Sequence, residues 1–277
     1  MKREHARSTS SRPRRLMRRA INIHGLRRKR VSWLFLLGVN NSGTTLLETI
    51  LGRHPEISKL PEEGQRLSPA LPRPNPMKLR RLWTERLKAF RKSSGDGSRM
   101  SASRLKWDWL GHYPVDGSTR FLMEKSPPNT VRGPWLQHHF RPASFLALTR
   151  NPYAVSEGIR RREGYSVERA ARHWTIANRI MLDDLDRLDD RLLLSYEDLC
   201  ADPARELTRV TRFLKIDSYP DELLREEYSV HNVTGQPSLI KDFNEPSVER
   251  LSSDDIRRIE DIAGEVMSRL GYEFFTG

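Results

Sequence analysis

The segment Val31 to Pro55, VSWLFLLGVNNSGTTLLETILGRHP, constrains this chain more than any other. A continuous apolar run, a polar glycine turn and an apolar run at helical spacing follow one another. That order predicts a buried strand, a tight loop and a helix start. In such a loop the backbone N–H groups and the helix N-terminus converge on an anion. The spacing Gly38-x4-Gly43-Thr44-Thr45 fits the pattern G-x4-G-K-[ST] at every place but one. Thr44 stands where a lysine would reach the β- and γ-phosphates of a nucleoside triphosphate. The loop is shaped for a phosphate but lacks the cation that ATP- and GTP-using enzymes employ.

Further along, strands alternate with helices. The first strand is expected over 31–37 and its helix over 44–53, ended by His54-Pro55 because proline cannot continue a helix. Residues 120–125, 144–149 and 191–195 read as further strands, and 166–188, 203–214 and 254–270 as helices. Asp202 is placed to cap the 203–214 helix, with Pro203 at its first position. This alternation argues an α/β fold of three layers, a central parallel sheet flanked by helices. Residues 61–118 read as an insertion facing the acceptor: a Pro/Gly-rich loop at 61–76, a basic amphipathic helix at 77–92 and a low-complexity loop at 93–103.

Charge divides the chain in two. Residues 1–30 hold twelve Lys or Arg against one acid, Glu4, which accounts for +11 of the formal +13 and leaves +2 for 31–277. The 1–30 stretch is read as a disordered basic tail, whose weak partner would be an anionic surface. The near-neutral body argues against a specific nucleic-acid partner. The tail lacks the apolar core of a secretory signal, and VSWLFLLGV is too short to span a bilayer, so a cytoplasmic protein is expected. The one cysteine, Cys200, forms no internal disulfide or zinc spacing and reads as a core thiol. His138-His139 is not a convincing metal-ligand pair, and no metal is expected.

In parallel sheets, ligands bind beyond the carboxyl ends of the strands. Three polar signatures fall there: Asn40 to Thr45, Glu124-Lys125-Ser126 and Arg150. Together they resemble the sulfotransferases that use 3′-phosphoadenosine 5′-phosphosulfate. The family's phosphosulfate loop commonly reads [RK]-S-G-T-T-x-L, and Asn41-Ser-Gly-Thr-Thr-Leu-Leu47 is similar to it. Glu124-Lys125-Ser126-Pro127 looks like an E-K-[ST]-P motif of glycan-modifying members. Ala147-Leu-Thr-Arg150-Asn-Pro152 looks like the 3′-phosphate motif, and Ser195-Tyr196-Glu-Asp-Leu199 like a later Y-E-x-L motif. His231-x-x-x-Gly235-Gln-Pro237 and Leu270-Gly-Tyr272 are similar to the tail of bacterial members. The resemblance covers about 31–272 and implies a P-loop-like fold.

The resemblance also implies roles. The N–H groups of Ser42, Gly43, Thr44 and Thr45, with Asn40 and Asn41 ahead of them, would hold the 5′-phosphosulfate. Arg150 would pair with the 3′-phosphate, and Tyr196 would lie by the adenosine. Lys125 would neutralise charge on the moving sulfuryl group, and Glu63 would be the general base, with Glu62 its near rival. The acceptor would be a hydroxyl of a glycan, a tyrosine or a small alcohol or phenol. Two readings stay open for Trp83, Trp107, Trp109 and Tyr113: stacking faces for a sugar or phenol ring, or packing within the insertion.

Two positions depart from the family. Asn41 stands where a basic residue is usual, and Gly158 where a serine usually follows the arginine by eight places. Lys125 or an arginine of Arg160 to Arg162 is the expected compensation. Two rival readings stay open: a kinase-like nucleotide enzyme, and a non-enzymatic anion-binding module led by the tail.

Overall fold

β1 (Ser32–Leu37) is the apolar run ahead of the loop, continuous because a parallel strand is covered on both faces. In this computed structural model, which describes residues 12–28, 31–93, 95, 99–219 and 240–275, β1 is the middle strand of five. The sheet runs β2 (Ile57–Lys59), β3 (Phe121–Glu124), β1, β4 (Ala143–Thr149), β5 (Asp190–Ser195), and every neighbouring pair is parallel. The helices are α1 (Arg12–Arg28), α2 (Thr44–Leu51), α3 (Gly64–Leu67), α4 (Leu87–Phe90), α5 (Arg99–Leu110), α6 (Gly133–His139), α7 (Pro152–Glu163), α8 (Val167–Leu185), α9 (Tyr196–Ala201), α10 (Pro203–Leu214), α11 (Glu245–Val248) and α12 (Ser253–Leu270).

The period of two along each strand makes the layers. Leu34 and Leu36 of β1, with Leu146 and Leu148 of β4, pack against Leu47 and Ile50 of α2 and Val210 of α10. Their neighbours Trp33, Phe35 and Leu37 face the other way, onto Leu105 and Trp109 of α5, Trp135 of α6 and Met181 of α8. Burying each such side chain contributes about 1.5–3 kcal/mol, so both periods, 2.0 and 3.6, are fixed by the same contacts. This is the expected three-layer α/β fold. A further cluster joins α7, α8 and α12 to Trp83 and Phe90 of the insertion.

The strand order positions a site. The chain leaves β1 through α2 toward β2 on one side, and later crosses to β4 on the other. A crevice opens at such a reversal, beyond the carboxyl ends of the strands. Asn151 caps α7, its side chain accepting from the N–H groups of Tyr153 and Ala154, with Pro152 at the first helical position. Arg150 is thereby fixed between a strand end and a helix cap.

The insertion differs from expectation. Residues 77–92 are short turns rather than one amphipathic helix: Trp83–Arg86 is a 3-10 turn and α4 has a single turn. Lys78 and Arg80 both have positive φ, 57° and 38°, which interrupts any helix. The cause is packing, because Leu82, Trp83 and Phe90 are each fully buried from separate turns. Conversely, α5 occupies the end of the expected loop at 93–103. Ala102, Leu105 and Trp109 recur at helical spacing and bury against the sheet, which overrides the serine-rich composition. β2, three residues long, was below the length at which a pattern shows.

Within the basic tail, α1 (Arg12–Arg28) is helical, and residues 1–11, 29 and 30 lie outside the described residues. Buried Asn22 explains the docking of α1, since Nδ2 donates to the carbonyls of Leu110 and Tyr113, both at 2.7 Å. The Arg19 guanidinium sits 4.5 Å over the Trp107 ring. Among the described residues no helix is long and apolar enough to cross a membrane.

Candidate active site

A cleft of about 1400 Å³ lies over the carboxyl ends of the strands. It is lined by Asn40, Asn41, Gly43, Thr44, Thr45, Glu62, Glu63, Lys125, Arg150 and Tyr196. Of the expected catalytic and donor-binding residues, Ser42 is turned away. Its N–H and Oγ both donate to the Val39 carbonyl, at 3.2 and 2.7 Å, and it is fully buried. Ser42 holds the loop from beneath, so Gly43, Thr44 and Thr45 present the N–H groups. No side chain caps α2, and among the described residues none accepts from those three N–H groups. A helix start left open in this way suits an anion.

Two glycines make the loop possible by close approach. A Cβ on Gly38 would come within 2.6 Å of the Thr44 methyl and 2.7 Å of the Leu148 carbonyl. Gly43 has φ +90°, and a Cβ there would sit 2.5 Å from the Tyr196 ring, so loop and ring are packed face to face. Asn41 takes the left-handed conformation at φ 70°, which asparagine tolerates better than most side chains.

The turn after β3 places a cation beside two acids. Lys125 Nζ lies 3.4 Å from Glu48 and 3.7 Å from Glu63, and 3.5 Å from Thr45 Oγ1. Glu63 also accepts from Gln65 Nε2 at 2.7 Å, whereas Glu62 is exposed. Glu124, one residue before Lys125, does not reach the cleft. It is buried, accepting from the Gly64 N–H at 2.9 Å, from Ser126 Oγ at 2.5 Å and from Asn129 Nδ2. Burial pushes its carboxyl up to about 7 against those donors, helped by the charges of Glu63 and Glu48. Because Gly64 follows Glu63 directly, Glu124 ties the loop carrying Glu63 to β3.

On the β4 side, the Arg150 guanidinium stacks 4.0 Å over the Tyr196 ring. Its Nε donates to Asn244 Oδ1 at 2.8 Å and its Nη1 to the Asn41 carbonyl at 3.0 Å. Tyr196 OH donates to the Lys241 carbonyl at 2.9 Å, and burial holds its phenol well above the ordinary range. Asn40 is fixed by Trp83 Nε1, 3.2 Å from its Oδ1. Residues of separate strand ends are thus tied into one surface.

Some expected site residues are not brought together. Trp109 and Tyr113 are fully buried and pack the insertion, whereas Trp83, also buried, stands on the cleft wall with its Nε1 on Asn40. Trp107 is exposed, but it meets α1 away from the cleft. Arg160 cannot compensate for Asn41, since it is engaged by Asp255 and the Arg250 carbonyl, both at 2.8 Å. The His231 to Pro237 motif lies outside the described residues. Conversely, Arg81, Glu48, Gln65 and Asn244 are contributors with no sequence signal of their own. Arg81 sits among many other basic residues, and Asn244 is a lone amide far along the chain. Cys200 packs partly buried against the core, and burial lifts its thiol to about 12. Among the described residues no group of three or more His, Cys, Asp or Glu is placed to hold a metal.

Known proteins resemble this chain. A solved sulfotransferase domain from the curacin biosynthetic pathway superposes with a TM-score of 0.51 at 20% identity, over 88% of this chain and 99% of that one. A sulfotransferase from Mycobacterium avium does so at 0.55 and 12% identity, over 94% and 82%. At those identities the likeness establishes the fold. In sequence, Protein-tyrosine sulfotransferase A of Caenorhabditis elegans is 24% identical over 266 residues, 87% of this chain and 67% of that one. The sequence model of the sulfotransferase family matches residues 34–221. That match runs from β1 past α10, across the loop, Lys125, Arg150 and Tyr196, so the chain belongs to the sulfotransferase family and is an enzyme of sulfuryl transfer.

Proposed function

We propose that the donor is 3′-phosphoadenosine 5′-phosphosulfate and the acceptor a hydroxyl group, with Glu63 as base. The observation that carries this reading is the convergence on one cleft of three things: open N–H groups at Gly43 to Thr45, the Lys125–Glu63 pair, and the Arg150–Tyr196 stack. They fit the donor group by group. The loop takes the 5′-phosphosulfate, a guanidinium suits the 3′-phosphate, and the Arg150–Tyr196 stack offers an edge for the adenosine.

The chemistry asks little covalent work of the protein. The acceptor oxygen attacks sulfur in line, an O–S bond forms, and the bond from sulfur to the 5′-phosphate oxygen breaks, by analogy with phosphoryl transfer. Glu63 takes the acceptor proton, a contribution of order 10²–10⁴. Adenosine 3′,5′-bisphosphate leaves with the bond electrons, its new charge met by Lys125 and the loop N–H groups. Lys125 is well placed for both duties, because it lies between the base and Thr45 of the loop. Thr44 in the lysine position disfavours the kinase-like reading, and the near-neutral body disfavours a tail-led anion binder.

The acceptor is a hydroxyl on a glycan, a tyrosine or a small alcohol or phenol; a tyrosyl hydroxyl is the first to try, given the name of the worm relative. Incubation of the enzyme with sulfate-labelled donor and separate pools of glycans, tyrosine peptides and phenols tests the reading. Label is expected in one pool with stoichiometric release of adenosine 3′,5′-bisphosphate. Release of the bisphosphate with label found only as free sulfate in every pool would contradict a hydroxyl acceptor.

A further inference from the structure

α1 is docked with its faces reversed. Asn22 is turned inward and buried, donating to the carbonyls of Leu110 and Tyr113 at 2.7 Å. Arg19 and Ile23 flank it and are half-buried. Pro13, Leu16, Met17, Ala20, Ile21 and His24 recur at the spacing of one helix face, and all six are exposed. A surface helix ordinarily turns such a row toward the core. Here Leu16 is 53%, Met17 67% and Ile21 55% exposed. A lone exposed apolar side chain is ordinary, whereas a contiguous group marks a contact surface. Seven large apolar side chains are exposed among the described residues, and these are three of them. A fourth, Trp107 of α5, lines one groove with Leu16, Ala20 and Ile23. More than half of the exposed large apolar side chains are therefore gathered at one place.

The charge of the same helix decides what suits this face. α1 carries seven arginines and no acid in its 17 residues, within the 1–30 stretch that holds +11. That charge repels a second copy of the helix. A nucleic acid would meet the arginines but leave Leu16, Met17 and Ile21 uncovered. A protein groove that closes around a helix needs every face of it, and Asn22 and the Arg19–Trp107 stack already occupy one side. A bilayer with anionic headgroups needs only one face. It takes apolar side chains at the acyl boundary and arginines at the phosphates, and a tryptophan sits well at the same depth.

We propose that α1, with Trp107 beside it, is a docking face for an anionic phospholipid surface. Leu16, Met17 and Ile21 enter the interface, and the arginines of the helix draw it to the headgroups. The helix lies on the membrane and does not cross it. The inference stands apart from the donor and acceptor readings, because none of these residues lines the cleft.

Cosedimentation of the full chain with vesicles of phosphatidylcholine, with and without phosphatidylserine, tests it. Binding is expected only where phosphatidylserine is present, and added salt should weaken it. Met17→Ser combined with Ile21→Ser should lower the partition into those vesicles about ten-fold or more. Met17→Leu with Ile21→Leu should keep it. Both side chains are exposed and outside the cleft, so the melting temperature and the affinity for adenosine 3′,5′-bisphosphate should stay those of the wild type in either variant. Binding that survives the serine pair undiminished would assign it to the charge of the tail alone and overturn the docking face. Equal binding to neutral vesicles, or none to either, overturns it as well. Capture of duplex DNA without capture of vesicles would replace the lipid by a nucleic acid. A dimer that the serine pair dissociates would give the face to a second copy of the chain instead.

Discussion

One wall of the cleft is made of strand ends and a helix start, and the other of short turns anchored by single buried side chains. On the first wall, Asn40 to Thr45, Lys125, Arg150 and Tyr196 leave directly from β1, β3, β4 and β5, so sheet pairing sets their spacing. On the second, Glu63 stands just before α3, and its place depends on the Glu124 carboxylate, which accepts from the next residue's N–H, and on Trp109 Nε1, which donates to the Gly64 carbonyl at 2.9 Å. A sheet fixes many positions through one cooperative ladder. A turn held by a few hydrogen bonds, with Gln65 N–H on Ser126 Oγ at 3.3 Å as another, can be moved without disturbing the rest. The first wall should therefore tolerate changes on the second, and on the proposed roles donor affinity and turnover should be separable.

The largest expected effect lies on the second wall. Glu63→Gln should lower turnover by about 10²–10⁴ and leave bisphosphate affinity within about two-fold, measured by steady-state kinetics and calorimetry. Glu62→Gln should change neither, since Glu62 is exposed and no hydrogen bond holds it among the described residues. A reversed result moves the base by one residue, and a joint loss of turnover and donor affinity breaks the separation of the walls.

A smaller effect tests the joint between the walls. Burial raises Glu124 from 4.5 to about 7, so the folded chain takes up a proton there between those values. The sign follows: its stabilisation is complete below about pH 4.5, falls as pH rises, and is gone above about 7. A shift of that size corresponds to about 3 kcal/mol. His173 slopes the other way, because burial lowers it to about 3 and its stabilisation is lost as pH falls below about 6.5. The informative quantity is the difference between wild type and Glu124→Gln, in urea midpoints measured from pH 5 to 8. The wild type should lose stability relative to the variant across that window. A difference independent of pH would show that Glu124 stays ionised among its three donors.

The same contrast explains what the sequence disclosed. Apolar runs such as SWLFLL and ASFLALT carry their own period and flanking turn chemistry, so four of the strands and the loop between β1 and α2 were legible, as was the cap at Asp202. β2 was too short to show a period. In the insertion, Trp83 and Phe90 bury from separate turns, a tertiary decision that mimics an amphipathic helix when read locally. The place of Asn40 to Thr45, Lys125, Arg150 and Tyr196 around one cleft was legible because a spacing motif ties each to a strand end. Ser42 was misplaced because the motif does not say which way each residue turns. Arg81 and Asn244 reach the site from far along the chain with no pattern of their own. Stacking and packing both stayed open for the aromatics of the insertion, because exposure is not written in a tryptophan's identity.

The central claim is that a loop with threonine in the lysine position serves a nucleotide carrying a 3′-phosphate rather than a triphosphate. Titration of adenosine 3′,5′-bisphosphate and of ATP into the same enzyme, with and without Arg150→Ala, measures that claim directly. The account predicts that the bisphosphate binds far more tightly than ATP, and that Arg150→Ala removes most of the preference. Equal affinities for the two nucleotides, or a preference that survives the loss of Arg150, would contradict it.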